Sequence, residues 1–413
     1  MFRFERVILL CGLALIAPLR AAESPHAALQ PGIEVLLHEQ AGELKGKRIG
    51  LVTNMTGVDR MLRSDIDLLA ARKDFKLVAL FGPEHGVRGD AQAGTHVEST
   101  RDAATGLPVH SLYGEHREPD GEMLRGIDLL LFDIQDVGTR YYTYPYTLAN
   151  VLRAAKKQGI PVWVLDRPNP LGGEKVEGPV LEPAFSSFVG MFPIPVRHGM
   201  TIGELARLFN AEFGIGAQLR VVPMRGWKRN DAEPGGAMPW VPPSPNMPTR
   251  DTALVYPGTA LIEGTNVSEG RGTTRPFETI GAPFVDAQQL AAKLNALELP
   301  GVRFRPTWFT PSFSKHKDQL CGGVQLHVTD RDAFQPFRTG LALVKALHDL
   351  YPQQFRFQSD APGASAGFFD KLAGNAWLRE GIERGEPLDM LQARWEPALR
   401  EFESMRRRYL LYP

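Results

Sequence analysis

The chain has 413 residues, enough at roughly 150 residues each for two or three domains that bury cores of their own. Hydrophobic residues at 43% and charged residues at 23% exclude wholesale disorder, and 41 Gly and 33 Pro imply many structured loops. Lys plus Arg and Asp plus Glu both number 47, so no net field draws the chain to nucleic acid or to anionic lipid.

Arg3 and Arg6 precede an apolar run at residues 7–19, and Ala21 and Ala22 follow it. That order reads as a secretory signal peptide over residues 1–22, too short to span a bilayer, although Arg20 stands where a cleavage site prefers a small residue. Its removal leaves Cys321 as the sole cysteine, so no disulfide framework is expected in the mature chain. A secreted or periplasmic protein without a membrane span of its own follows from this reading.

Short continuous apolar runs come next, at residues 48–53 (RIGLVT), 77–81 (LVALF), 127–133 (IDLLLFD) and 162–166 (VWVLD). Such runs suit strands of a parallel sheet covered on both faces. Helical periodicity lies between them at 62–72 and 147–158, the second closed by Gly159 ahead of Pro161. The alternation predicts an α/β fold, a Rossmann-like doubly wound and mostly parallel sheet with right-handed crossovers, over residues 32–245. A Gly- and Pro-rich stretch at 223–248 marks the boundary. Beyond it a loop-rich segment reaches about Pro283. A helix at 287–297, a strand at 323–328, a helix at 340–350 and further helices then predict a smaller α+β domain over 246–413. The basic run Arg406, Arg407, Arg408 reads as a solvated helix end.

Each predicted strand of the first domain ends in polar residues. Asn54 follows the first, Glu84 and His85 the second in Gly-Pro-Glu-His-Gly, Asp133 and Asp136 the third, and Asp166, Arg167 and Asn169 the fourth. Parallel strands gather these groups at one edge of the sheet, where doubly wound folds bind ligands. Asp133, Asp136 and Asp166 each also suit a turn or helix cap. Glu84 has no adjacent helix to cap. The sequence has no H-E-x-x-H, no C-x-x-C, no Walker A loop and no G-x-S-x-G elbow, and residues 264–272 (GTNVSEGRG) lack the strand context of a dinucleotide fingerprint, so no cofactor or metal is expected. Carboxylates without those motifs point to glycoside hydrolysis, with Glu84 as one partner and Asp133, Asp136, Asp166, Glu177 or Glu269 as the second. Arg140, Tyr141, Tyr142 and Tyr144 offer a cation and faces for sugar rings.

The segments at 82–86 (GPEHG), 132–138 (FDIQDVG), 166–173 (DRPNPLGG) and 264–272 together resemble the exo-β-N-acetylmuramidase family, with similarity running from about Gly32 to the C-terminus. The resemblance implies a Rossmann-like domain and a smaller C-terminal domain with the site in the cleft between them. It also implies exo-hydrolysis of N-acetylmuramic acid (MurNAc) from the non-reducing ends of peptidoglycan fragments such as MurNAc-GlcNAc or muropeptides. Glu84 matches that family's catalytic candidate and is expected to act as general acid/base. Glu177, Asp136 and Glu269 are the inferred second carboxylates. The lactyl carboxylate of MurNAc would pair with Arg140, Arg271 or Arg88. Asn54, His85, Asp133, Tyr142, Asp166, Asn169 and Asn266 complete the expected substrate contacts. A non-catalytic muropeptide receptor remains open, as does a metal-dependent hydrolase using Asp133, Asp136, His85 and Asp166.

Overall fold

The computed structural model describes residues 29–89, 100–114, 116–231, 238–358 and 367–413. The expected signal peptide, and Gly235 and Gly236 of the expected boundary, lie outside them. In chain order the strands are β1 (Arg48–Thr53), β2 (Lys76–Gly82), β3 (Thr100–Arg101), β4 (Pro108–Ser111), β5 (Leu129–Asp133), β6 (Val162–Leu165), β7 (Glu177–Val180), β8 (Pro195–Arg197), β9 (Leu219–Val222), β10 (Thr279–Ala282), β11 (Val302–Phe309) and β12 (Cys321–Val328). The helices are α1 (Gly32–Val35), α2 (Asp65–Ala70), α3 (Tyr144–Gln158), α4 (Ile202–Glu212), α5 (Arg250–Thr259), α6 (Ala287–Asn295), α7 (Pro336–Leu350), α8 (Phe368–Ala373), α9 (Trp377–Glu383) and α10 (Leu388–Arg406).

A seven-stranded sheet runs β3-β4-β2-β1-β5-β6-β9, and every neighbouring pair in it is parallel except β3 with β4. Counting the parallel strands alone, the order is 3-2-1-4-5-6, the doubly wound arrangement, with its switch point between β1 and β5. The apolar runs work as two-faced strands. Ile49, Leu51, Leu129, Leu131, Trp163 and Leu165 enter one core, and Val52, Leu130, Phe132, Val162 and Val164 the other. That second core takes in α3 and α4 and continues without a break through Leu261, Ile280, Phe337, Leu341 and Phe369 of the other lobe. The second lobe is built on the antiparallel sheet β10-β12-β11, while β7 and β8 form a separate hairpin.

Local chemistry sets the helix ends. α3 begins with Pro145 in its first turn and ends on Gly159 at φ 67. Thr201 and Glu204 form a reciprocal capping box at α4. The periodicity at 62–72 resolves to the shorter α2, because Asp59 Oδ1 accepts from the amides of Met61 and Arg63 and Leu62 adopts φ 62. The helix can therefore start only after Ser64, whose Oγ caps Ile66 N. The expected loop-rich stretch contains α5, hidden by Pro257 and Gly258 in its last turn and capped by Thr249. Gly258 is where α5 meets α7: a Cβ there would lie 1.9 Å from Pro336 O, and one on Gly340 would lie 2.2 Å from Gly258 O. The basic run is also corrected. Arg406 is buried, donating to the carbonyls of Gly173, Gly199 and Glu174, so it ties the end of α10 to the first lobe.

Candidate active site

The turn after β2 holds Glu84 at the carboxyl edge of the sheet, just ahead of two residues of fixed conformation. His85 and Gly86 both lie in the left-handed region, at φ 76 and 74, and Gly86 N donates to Pro83 O at 3.1 Å. A left-handed non-glycine residue costs on the order of 1 kcal/mol, strain of the kind retained where a side chain must point one way. Glu84 is partly exposed while His85 is buried. Tyr113, in the loop after β4, donates its hydroxyl to the Glu84 carboxylate; burial first, and then that charge, push its pKa up to about 12.

Tyrosines from the segment between β5 and α3 wall this site. Tyr142 meets Tyr144 edge-on at 5.0 Å and Tyr256 of α5 at 5.9 Å, and Tyr256 meets Phe277 at 4.8 Å. Burial raises the pKa of Tyr142 and Tyr256, with the charge of Glu84 adding to each. Tyr144 Oη donates to Pro243 O at 2.5 Å within the first lobe, and Tyr141 Oη donates to Pro257 O of α5, so one first-lobe side chain is bonded to backbone of the second lobe.

The second lobe contributes charge. Glu263 lies 3.2 Å from Arg271 Nη2, and Glu269 lies 3.2 Å from Arg271 Nε and 3.1 Å from Lys315 Nζ. Lys315 also donates to the carbonyls of Ile262, Glu263 and Val267, pinning the turn that carries both glutamates. Burial raises the Glu263 pKa despite the Arg271 charge, the charge of Glu269 adding to the rise.

These groups line two adjoining compartments. The more enclosed one, about 260 Å³, is walled by Tyr113, Arg117, Tyr142, Tyr144, Phe188 and Tyr256. The wider one, about 720 Å³, is walled by Asn246, Phe313, Ser314, Lys315 and Gln358. Glu84, Tyr113, Glu263, Arg271 and Phe368 belong to both and form the boundary. Asn246 Nδ2, on the wall of the wider compartment, is buried and has no hydrogen-bond partner among the described residues.

Of the residues singled out in the sequence, Glu84, His85, Tyr142, Glu269 and Arg271 come together at this cleft. Others hold the fold. Both oxygens of Asp133 are held by Arg167, at 2.5 and 2.9 Å. Asp166 accepts from Thr201, Gly203 and Tyr412, and burial lifts its pKa to about 7. Asp136 accepts from Gly138 N at 2.7 Å and faces the buried His198 at 3.4 Å. Asn54 closes a turn on Thr56, Asn169 bridges Leu171 N and Met200 O, and Asn266 joins Gln354 to Arg356. Among the described residues, Asp133, Asp136, His85 and Asp166 do not form a cluster placed to hold a metal ion.

Glu177 opens onto a different depression, with Lys175, Asp332 and Gln392, where it caps Arg338 N at 3.0 Å; the second-carboxylate expectation fails there. Two expected anion partners are already engaged. Arg140 is buried and spends its guanidinium on the carbonyls of Pro179, Ile194 and Leu372, and Arg88 is held by Asp102 and Asp67. Sequence reading missed Glu263, Tyr113, Arg117 and Lys315. Glu263 is a lone acid after an apolar run, and β4, which precedes Tyr113, is too short to stand out.

The chain matches the family described as exo-beta-N-acetylmuramidase NamZ, its N-terminal part over residues 49–251 and its C-terminal part over 254–412. It is 57% identical over 384 residues to the peptidoglycan beta-N-acetylmuramidase NamZ of Bacillus subtilis (strain 168), covering 93% of this chain and 91% of that protein. Among solved structures, a DUF1343 family protein of Bacteroides fragilis superposes with a TM-score of 0.85 at 38% identity, covering 94% of this chain and all of that one. A second protein of that family and organism gives 0.76 at 33% identity over 94% of this chain and 99% of its own.

Proposed function

The chain belongs to the exo-β-N-acetylmuramidase family, and from that premise we propose that it releases MurNAc from the non-reducing end of peptidoglycan fragments such as MurNAc-GlcNAc. It is a glycosidase of peptidoglycan. One observation carries the finer reading: Glu84 and Glu263 stand on the wall shared by a narrower compartment and a wider one. An exo-acting enzyme needs a blind chamber for the terminal sugar and an outlet for the rest of the strand, with the chemistry at the border. The enclosed chamber lies just below the size range of pockets for drug-sized ligands, roughly 300–1,000 Å³, and suits one terminal sugar.

Glu84, in its protonated form, donates the proton to the glycosidic oxygen as the bond to the anomeric carbon breaks. Glu263, held against Arg271, carries the opposing negative charge at the anomeric centre and either attacks it or activates water. Water supplies the hydroxyl of the released sugar; its remaining proton passes to Glu84 where Glu263 attacks, and to Glu263 where Glu263 activates the water, solvent then returning a proton to Glu84. Tyr142 and Tyr256 offer ring faces to the pyranose. The signal-peptide reading of residues 1–22 supports a site of action outside the cytoplasm, where peptidoglycan lies.

The test is incubation with MurNAc-GlcNAc, with and without chelator, reading released sugars by mass spectrometry. Free MurNAc from wild type is expected, unaffected by chelator, with Glu84→Gln and Glu263→Gln each slower by about 10²- to 10⁴-fold. An aryl MurNAc glycoside with a good leaving group should restore Glu84→Gln far more than Glu263→Gln, because it dispenses with the acid. Binding without release would favour a receptor, and release abolished by chelator would favour metal chemistry.

A further inference from the structure

The cations of the cleft are unequally committed. Arg271 is paired with Glu263 and Glu269, and Lys315 with Glu269 and backbone carbonyls. Arg140 and Arg88, next to the motifs, are bound by carbonyls and by aspartates. Arg117 differs. It lines the enclosed chamber beside Tyr113, and its guanidinium lies 4.4 Å from the centroid of the Phe188 ring. Arg117 is exposed. Its backbone is fixed, with Asn150 Nδ2 of α3 donating to its carbonyl at 3.0 Å. A guanidinium stacked on an aromatic face keeps its fork of N–H donors free at the edge, the geometry that grips a carboxylate through two parallel bonds.

The terminal sugar of the proposed substrate differs from the N-acetylglucosamine beside it by one anionic group, the lactyl ether carboxylate. We propose that Arg117, steadied by Phe188, is the residue that recognises this carboxylate and so selects the sugar admitted to the enclosed chamber. The inference rests on the exo-muramidase reading. It assigns Arg271 instead to holding Glu263 and Glu269 in place.

A cycle of two changes tests it. Aryl MurNAc glycosides are prepared with the lactyl group as the free acid and as its methyl ester, and kcat/KM is measured for wild type, Arg117→Gln and Arg117→Lys. Wild type should prefer the acid over the ester by about 10- to 100-fold, the range of a hydrogen bond to a charged group. Arg117→Gln should bring that preference close to unity, with Arg117→Lys between the two. The proposal is overturned if Arg117→Gln keeps the wild-type preference. It is equally overturned if the variant slows acid and ester by the same factor, since Arg117 would then only shape the chamber. Wild type that cleaves neither compound would refute the exo-muramidase reading itself, an outcome distinct from both.

Discussion

Glu263 shows how a single side chain's surroundings become a pH profile. It must be ionised to act, and burial raises its pKa, so activity should fall as pH drops through a value above the roughly 4.3 of a free glutamate. An acid limb of kcat/KM at or below that value would contradict the assignment. Asp166 has the opposite linkage, to stability. Folded, it holds its proton up to about 7, whereas its reference value is 3.8, so its contribution to stability is complete below about 4 and is lost as pH rises toward 7. Thermal melts of Asp166→Asn should show a shallower loss over that window than wild type. Residue chemistry was legible where several unusual residues cluster, as in the turn that carries Glu84. It was not legible for Arg117, whose significance depends on which other arginines are already engaged, a property of the fold and not of spacing.

At the scale of elements, strand identity could be read from sequence because both faces of the central sheet are buried, which makes the runs continuous. Helix limits were less accessible wherever a side chain competes with the helix for backbone amides, as Asp59 does ahead of α2. α5 was obscured because the glycine that weakens its local signal is what its packing needs. Gly258 and Gly340 let the backbones of α5 and α7 touch, and the opposing atoms are main-chain groups that cannot swing aside. Gly258→Ala and Gly340→Ala should each destabilise by about 3 kcal/mol or more, seen as a lowered urea midpoint. Because α5 also carries Tyr256, both substitutions should lower activity before the protein unfolds.

Across the whole molecule, the doubly wound lobe and its neighbour share one continuous core and several buried polar ties. Arg140 is one of them, reaching from the first lobe to Leu372 in α8. Arg140→Met should cost about 3 kcal/mol or more by stranding buried carbonyls, and the melt should remain a single cooperative transition, checked by calorimetry. Separate transitions for the two lobes would show that the shared core does not couple them. Tyr412 is another tie, closing on Asp166 at 2.5 Å across 246 positions of sequence. During vectorial synthesis, then, Asp166, just after β6, emerges long before the phenol that completes its polar shell. At about 5–20 residues per second the interval is on the order of tens of seconds, during which the first lobe can collapse while its polar shell at Asp166 stays incomplete.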